Sequence, residues 1–64
     1  MFVVGYFKQR EISPLVTFHY FNSAYEYAKN LINTLEGVSI SIDWSIGETV
    51  IVGDYTFFIC EVKR

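Results

Sequence analysis

Ser23-Ala24-Tyr25-Glu26-Tyr27-Ala28-Lys29-Asn30-Leu31-Ile32-Asn33-Thr34-Leu35-Glu36-Gly37 is the one stretch of this 64-residue chain with helical periodicity. Ala24, Ala28, Leu31, Ile32 and Leu35 recur at i, i+4, i+7, i+8 and i+11, which draws a single apolar stripe along a helix. Glu26, Lys29, Asn30, Asn33 and Glu36 fall on the other side, so the stretch predicts a surface helix laid over a sheet. Ser23 and Glu26 have the spacing of a capping box, in which hydroxyl and carboxylate each satisfy an otherwise orphan amide at the helix start. Gly37 supplies a left-handed stop.

The sequence on both sides of the helix reads as strand. Residues 2–7 and 15–21 are β-prone runs joined by a polar stretch from Lys8 to Pro14, read as a long, mobile connection; Pro14 cannot donate to a ladder and marks a strand start. After the helix, Val38, Ile40, Ile42 and Trp44 alternate with Ser39, Ser41 and Asp43, the pattern of a half-buried strand. A turn at residues 45–48 leads into a strand at 49–52. Gly53-Asp54 then has the Gly-first order of a type II′ hairpin, and a last strand runs from Tyr55 to about Val62. The expected fold is α+β, one domain over residues 1–64: a single, mainly antiparallel five-stranded sheet with one helix on one face, in the order β-β-α-β-β-β. A right-handed crossover gives the spatial order second, first, third, fourth, fifth.

Apolar surface exceeds what this arrangement covers. The chain holds six Phe, five Tyr and one Trp. Phe2-Val3-Val4 and Phe18-His19-Tyr20-Phe21 are apolar or aromatic at both parities, and in the last strand Tyr55, Phe57 and Ile59 point one way while Phe58, Cys60 and Val62 point the other. A strand needs apolar side chains at both parities only when both its faces are covered. A helix of about thirteen residues is roughly 20 Å long and 10 Å wide, whereas five strands span roughly 24 Å. One helix covers one face at most. Each large side chain removed from water on association contributes on the order of 1.5–3 kcal/mol before docking costs. The competing outcome is a sheet curled into a small barrel that absorbs both parities.

Several chemistries find no support. Met1 runs directly into Phe2–Phe7, a segment too short for a membrane span and wrongly flanked for a signal peptide, which points to the cytoplasm, including that of a host. Cys60 is the only cysteine, so no intrachain disulfide forms. A net charge of −2 does not favour polyanion binding. His19 is expected to be a packed ring and Cys60 an inert strand thiol. With no C-x-x-C or H-x-x-x-H spacing, neither a metal nor another cofactor is expected. A Cys60–His19 nucleophilic pair requires the second and fifth strands to be neighbours, and nothing marks an oxyanion hole. Gly5, Gly37, Gly47 and Gly53 are isolated and form no phosphate-cradling run. Asp43 and Glu48 flank the Trp44 turn as solvated acids, so no catalytic residue is assigned.

In size and architecture the chain resembles accessory proteins of phages and other viruses that bind a host factor as inhibitors or adaptors, a resemblance carried by no motif. The expected function is non-enzymatic: a module that self-associates as a homodimer or higher assembly and binds another protein through an aromatic sheet surface. Trp44, Tyr55, Phe57 and Tyr25 are the candidate anchors, since aromatic residues dominate interface energetics. One alternative is a single-strand nucleic-acid binder that stacks bases on exposed rings and holds phosphates with Lys8, Arg10, Lys63 and Arg64 gathered at one end of the sheet. The other is an oligomeric small-ligand sponge, its pocket lying where two copies meet near Tyr25, Tyr27 and Trp44.

Overall fold

A computed structural model describes residues 1–41 and 43–63. Its elements are β1 (Phe2–Lys8), β2 (Glu11–Ile12), β3 (Val16–Phe18), α1 (Phe21–Glu36), β4 (Thr49–Val52) and β5 (Tyr55–Glu61). All strand pairs are antiparallel. β5 pairs with β1 along its whole length and with β4 on its other side, while β2 and β3 lie one after the other along the free edge of β1. The α+β class, the five-stranded antiparallel sheet and the single helix are as the pattern predicts.

The membership of the sheet differs from the reading of the sequence in two places. The segment expected to form a strand from Val38 to Trp44 has no strand structure at its described residues; Ile42 lies outside them. Period-2 alternation specifies alternate burial, not pairing. Ile40 and Trp44 turn toward the core while Ser39, Ser41 and Asp43 stay exposed, so from Ser39 onward the alternation is met by a segment lying beside the sheet; Val38, of the apolar parity, is exposed. The fifth strand comes instead from the supposed mobile connection. Lys8 pairs with Glu11 across a two-residue Gln9–Arg10 turn, with Gln9 at φ 57. The element order is therefore β-β-β-α-β-β, and β1 and β5 are central.

Between β2 and β3 the ladder shifts by one residue: Phe7 faces Ile12, but Val4 faces Val16. An extra residue in one strand is a bulge, and Pro14, which has no N–H to give a ladder, sits inside it. Ser13 repairs the ladder. Its N–H donates to the Tyr6 carbonyl at 2.8 Å. Its hydroxyl accepts from the Tyr6 N–H at 2.9 Å and donates to the Pro14 carbonyl at 3.2 Å.

The helix begins earlier than the capping-box pattern implies. Tyr20 is the N-cap, in extended conformation with no side-chain cap bond, and Ser23 lies inside the first turn. The C-terminus is as expected: Gly37 adopts φ 67 and its N–H closes on the Asn33 carbonyl. Ala24, Ala28 and Ile32 are fully buried against Val4, Phe57 and Ile59, with Trp44 completing the core. Two alanines at the centre of the stripe let the helix approach the bulky residues beneath it. Gly53, at φ 59, opens the β4–β5 hairpin in the expected Gly-first order.

Candidate interaction surface

Strand register sorts every sheet residue to one of two faces. Directly opposite residues in an antiparallel pair project to the same side. Val4–Ile59, Tyr6–Phe57 and Val50–Phe57 are such pairs, and with Tyr55 and Val52 they form the face that α1 covers. Val3–Cys60, Phe7–Thr56 and Phe7–Ile12 define the opposite face, to which Phe58, Ile51, Thr17 and Thr49 also belong. No described element packs over that second face.

Among the described residues the open face is mainly apolar, with Thr17, Thr49 and Thr56 as its hydroxyls, and carries no ionisable group other than the Cys60 thiol. Phe7 is 43% exposed, Ile12 56%, Leu15 55% and Ile51 73%. The Phe7 and Phe58 rings pack at 5.2 Å between centroids. Gly5 lies beneath them: a Cβ there would stand 2.7 Å from Cζ of Phe58 and 2.8 Å from Cδ2 of Leu15, so these two side chains close over the bare backbone. Cys60 is a free, exposed thiol on this face, in a strand as expected but not buried.

The anchors chosen from the sequence lie on the covered side. Phe57 is fully buried and Trp44 is 4% exposed. Trp44 is pinned by its indole N–H, which donates to the Glu48 carbonyl at 3.0 Å. Tyr55 is half-buried and packs edge-on to Tyr6 at 5.2 Å, with the Lys8 ammonium 5.1 Å from its ring centroid. Tyr25 is half-buried and stands edge-on to Trp44 at 6.4 Å. These four build the layer between helix and sheet and are not on the open face. Parity alone could not say which side the helix takes. The signal was residue bulk: a stripe centred on Ala24 and Ala28 accommodates Tyr55, Phe57 and Ile59 better than it does Phe58, Cys60 and Val62.

The basic residues do not gather. Lys8 and Arg10 sit at the β1–β2 turn, whereas Lys63 follows the far end of β5, which pairs with the start of β1. Seven residues of β1 separate them, about 20 Å. Arg64 lies outside the described residues. Tyr27 packs against Phe18 at 5.2 Å, on the other flank of α1 from Trp44, so it does not join the Tyr25–Trp44 pair.

His19 is exposed at the bend between β3 and α1 and not packed within a strand. β1 lies between β3 and β5, so the Cys60–His19 pairing lacks the neighbouring strands it requires. Asp43 and Glu48 are both exposed. Among the described residues no group of three His, Cys, Asp or Glu side chains is arranged to hold a metal. No described helix is long and apolar enough to cross a membrane. Comparison with known protein families, curated proteins and solved structures finds no match to this chain.

Proposed function

We propose that the protein is a non-enzymatic interaction module that works by self-association, two copies meeting through their open sheet faces. The observation that carries this reading is the uncovered apolar cluster of Phe7, Ile12, Leu15 and Ile51 on one side of the sheet. Half-exposed on average, each of these four contributes roughly half of the about 1.5–3 kcal/mol gained on full burial of a large apolar side chain. Eight such side chains across a symmetric pair give on the order of 10 kcal/mol, against docking costs on the order of 4–15 kcal/mol. At the lowest docking cost about 6 kcal/mol remains, so the pairing is weak, with a dissociation constant on the order of tens of micromolar to millimolar.

A second copy is the occupant that the face fits. The charged residues of its strands, Lys8, Glu11 and Glu61, belong by register to the opposite face, so among the described residues a two-fold pairing of the open faces brings no like charges together, which matters for a chain of net charge −2. The molecule measures 32 × 27 × 17 Å. Even its full 32 × 27 Å side is only about the size of the roughly 800 Å² that each partner contributes to an interface of standard size, so the apolar cluster within it makes a smaller contact.

Methyl NMR tests the assignment. With rising protein concentration, the Val3, Ile12 and Ile51 methyl resonances shift together, while those of Ile32 and Val50 on the covered side hold still. Invariance of the first group from micromolar to millimolar protein removes the reading.

A further inference from the structure

We infer that the outer edge of β4 is a docking site for an extended, basic peptide segment of a partner protein, which joins the sheet as a further strand. The site is a row of backbone groups, so it stands independently of self-association through the open face, which involves the Ile51 side chain. β4 pairs with β5 on one side, and no described residue pairs with it on the other. Residues 38–41 and 43–45 lie along α1 instead, where the Asn33 amide donates to the Ser39 hydroxyl at 3.4 Å and Trp44 stands edge-on to Tyr25.

Register decides which backbone groups are free. The two-residue Gly53–Asp54 turn makes Val52 and Tyr55 a pair that exchanges both hydrogen bonds, and the pairs then alternate, so Val50 bonds to Phe57 while Thr49 and Ile51 point away from β5. The N–H and C=O groups of Thr49 and Ile51 therefore face outward about 7 Å apart, the two-residue repeat that an added strand matches. The same alternation runs through the sheet: Tyr6, opposite Phe57, turns its N–H and C=O away from β5, and Ser13 takes both. The opposite edge of the sheet is guarded, because β2 and β3 are short and the Pro14 bulge separates them. β4 has no proline, glycine or charge among its four residues, the devices that keep an edge from pairing.

Charge selects the occupant. Glu48 precedes β4 and Asp54 follows it, both exposed, and the Glu36 carboxylate stands over Gly53, 2.8 Å from where a Cβ would be. None of the three forms an ion pair among the described residues. Lys8 lies on β1, two strands in, over the Tyr55 ring. A second copy paired antiparallel through β4 would bring Glu48 of one chain to the Asp54 end of the other, like charge to like. A short β-branched run with Lys or Arg on either side instead meets both ends of the edge with opposite charge.

A blocked peptide of alternating valine and threonine with two lysines at each end is titrated into the full chain, and backbone amide shifts and exchange are followed. The Thr49 and Ile51 amides are expected to exchange quickly in the free chain and those of Val50 and Val52 slowly. Peptide is expected to shift the Thr49 and Ile51 amides saturably and to slow their exchange several-fold, with affinity falling as salt rises. The same peptide with glutamates in place of the lysines binds several-fold more weakly, and one N-methylated throughout its central run does not bind. Ile51→Pro removes an outward N–H that β5 does not use, so the variant is expected to fold and to lose the peptide. Glu48→Gln combined with Asp54→Asn weakens binding several-fold. Repeating the titration on Phe7→Lys, which breaks the open-face contact, keeps the outcome for the edge separate from the outcome for the face. Thr49 and Ile51 amides already protected in the free Phe7→Lys chain, or becoming so with protein concentration alone, overturn the assignment. A lysine peptide that never saturates, or a glutamate or N-methylated peptide that binds as well, overturns it too.

Discussion

Phe58 lies directly across the sheet from Gly5, and its ring, with the Leu15 side chain, occupies the space that any side chain at Gly5 would fill. The pair explains how the open face is built. A glycine at the centre of β1 would leave a trough in the sheet surface; the aromatic ring of its cross-strand neighbour fills it and extends a continuous apolar surface to Phe7.

Gly5→Ala tests this packing. The new Cβ would sit well inside contact distance of Phe58 and Leu15, whose tips must lift away. Overpacking typically costs about 1–3 kcal/mol, and loss of glycine's unfolded-state freedom returns about 0.4–1 kcal/mol. The expected net effect is destabilisation of about 1 kcal/mol in urea denaturation. An unchanged or higher midpoint contradicts the close approach.

Ser13→Ala removes the hydroxyl that accepts the Tyr6 N–H at the bulge. Ser13 is only 9% exposed, so water does not readily replace it. Leaving a part-buried amide unpaired costs about 1–3 kcal/mol. Ser13→Thr keeps the hydroxyl and is expected to retain more of the stability than the alanine variant. Faster amide exchange at Tyr6 in the alanine variant, and not in the threonine one, identifies the bond as the cause.

At the helix start, Tyr20 is 74% exposed and makes no side-chain cap bond, and the first turn holds no acidic residue. Tyr20→Asp introduces both an acceptor for the orphan amides and a negative charge at the positive end of the helix, and is expected to stabilise by about 1 kcal/mol. Ser23→Ala, which the sequence pattern would treat as the loss of a cap, changes stability by only a few tenths of a kcal/mol because Ser23 makes no cap bond.

Cys60 provides a chemical reading of the open face. The thiol is exposed in the single chain and lies opposite Val3, inside the surface proposed to be covered by a second copy. Its rate of reaction with a thiol reagent is expected to fall several-fold as protein concentration rises through the dimerisation range. A rate independent of protein concentration places Cys60 outside any such contact.

The parts of the fold legible in the sequence were those fixed by local pattern. The Ala24–Leu35 stripe, the Gly37 stop, the Gly53 turn and the doubled parity of the first and last strands each follow from backbone geometry acting over a few residues. What was not legible depended on competition for places in the sheet. Both edges of the β1–β5 pair are taken by nearby hairpin partners, which leaves residues 38–41 and 43–45 to pack without pairing although their alternation is strand-like. The Ser13 hydroxyl hid the short strand Glu11–Ile12 for the same reason: a side chain completes a ladder that sequence pattern assigns to backbone. The existence of an open apolar face could be read from parity, but its membership depended on which side α1 chose.

Sedimentation equilibrium on the wild-type chain and on Phe7→Lys, from micromolar to millimolar protein, tests the central claim most directly. Phe7 is 43% exposed on the open face, so a lysine there is tolerated by the folded chain but puts an unpaired charge into the proposed contact, where it would have to be desolvated. The wild type is predicted to approach twice the chain mass of 7.5 kDa with increasing concentration, and the variant to remain at it. A wild type that stays monomeric throughout, or a folded variant that dimerises as well as the wild type, contradicts the account.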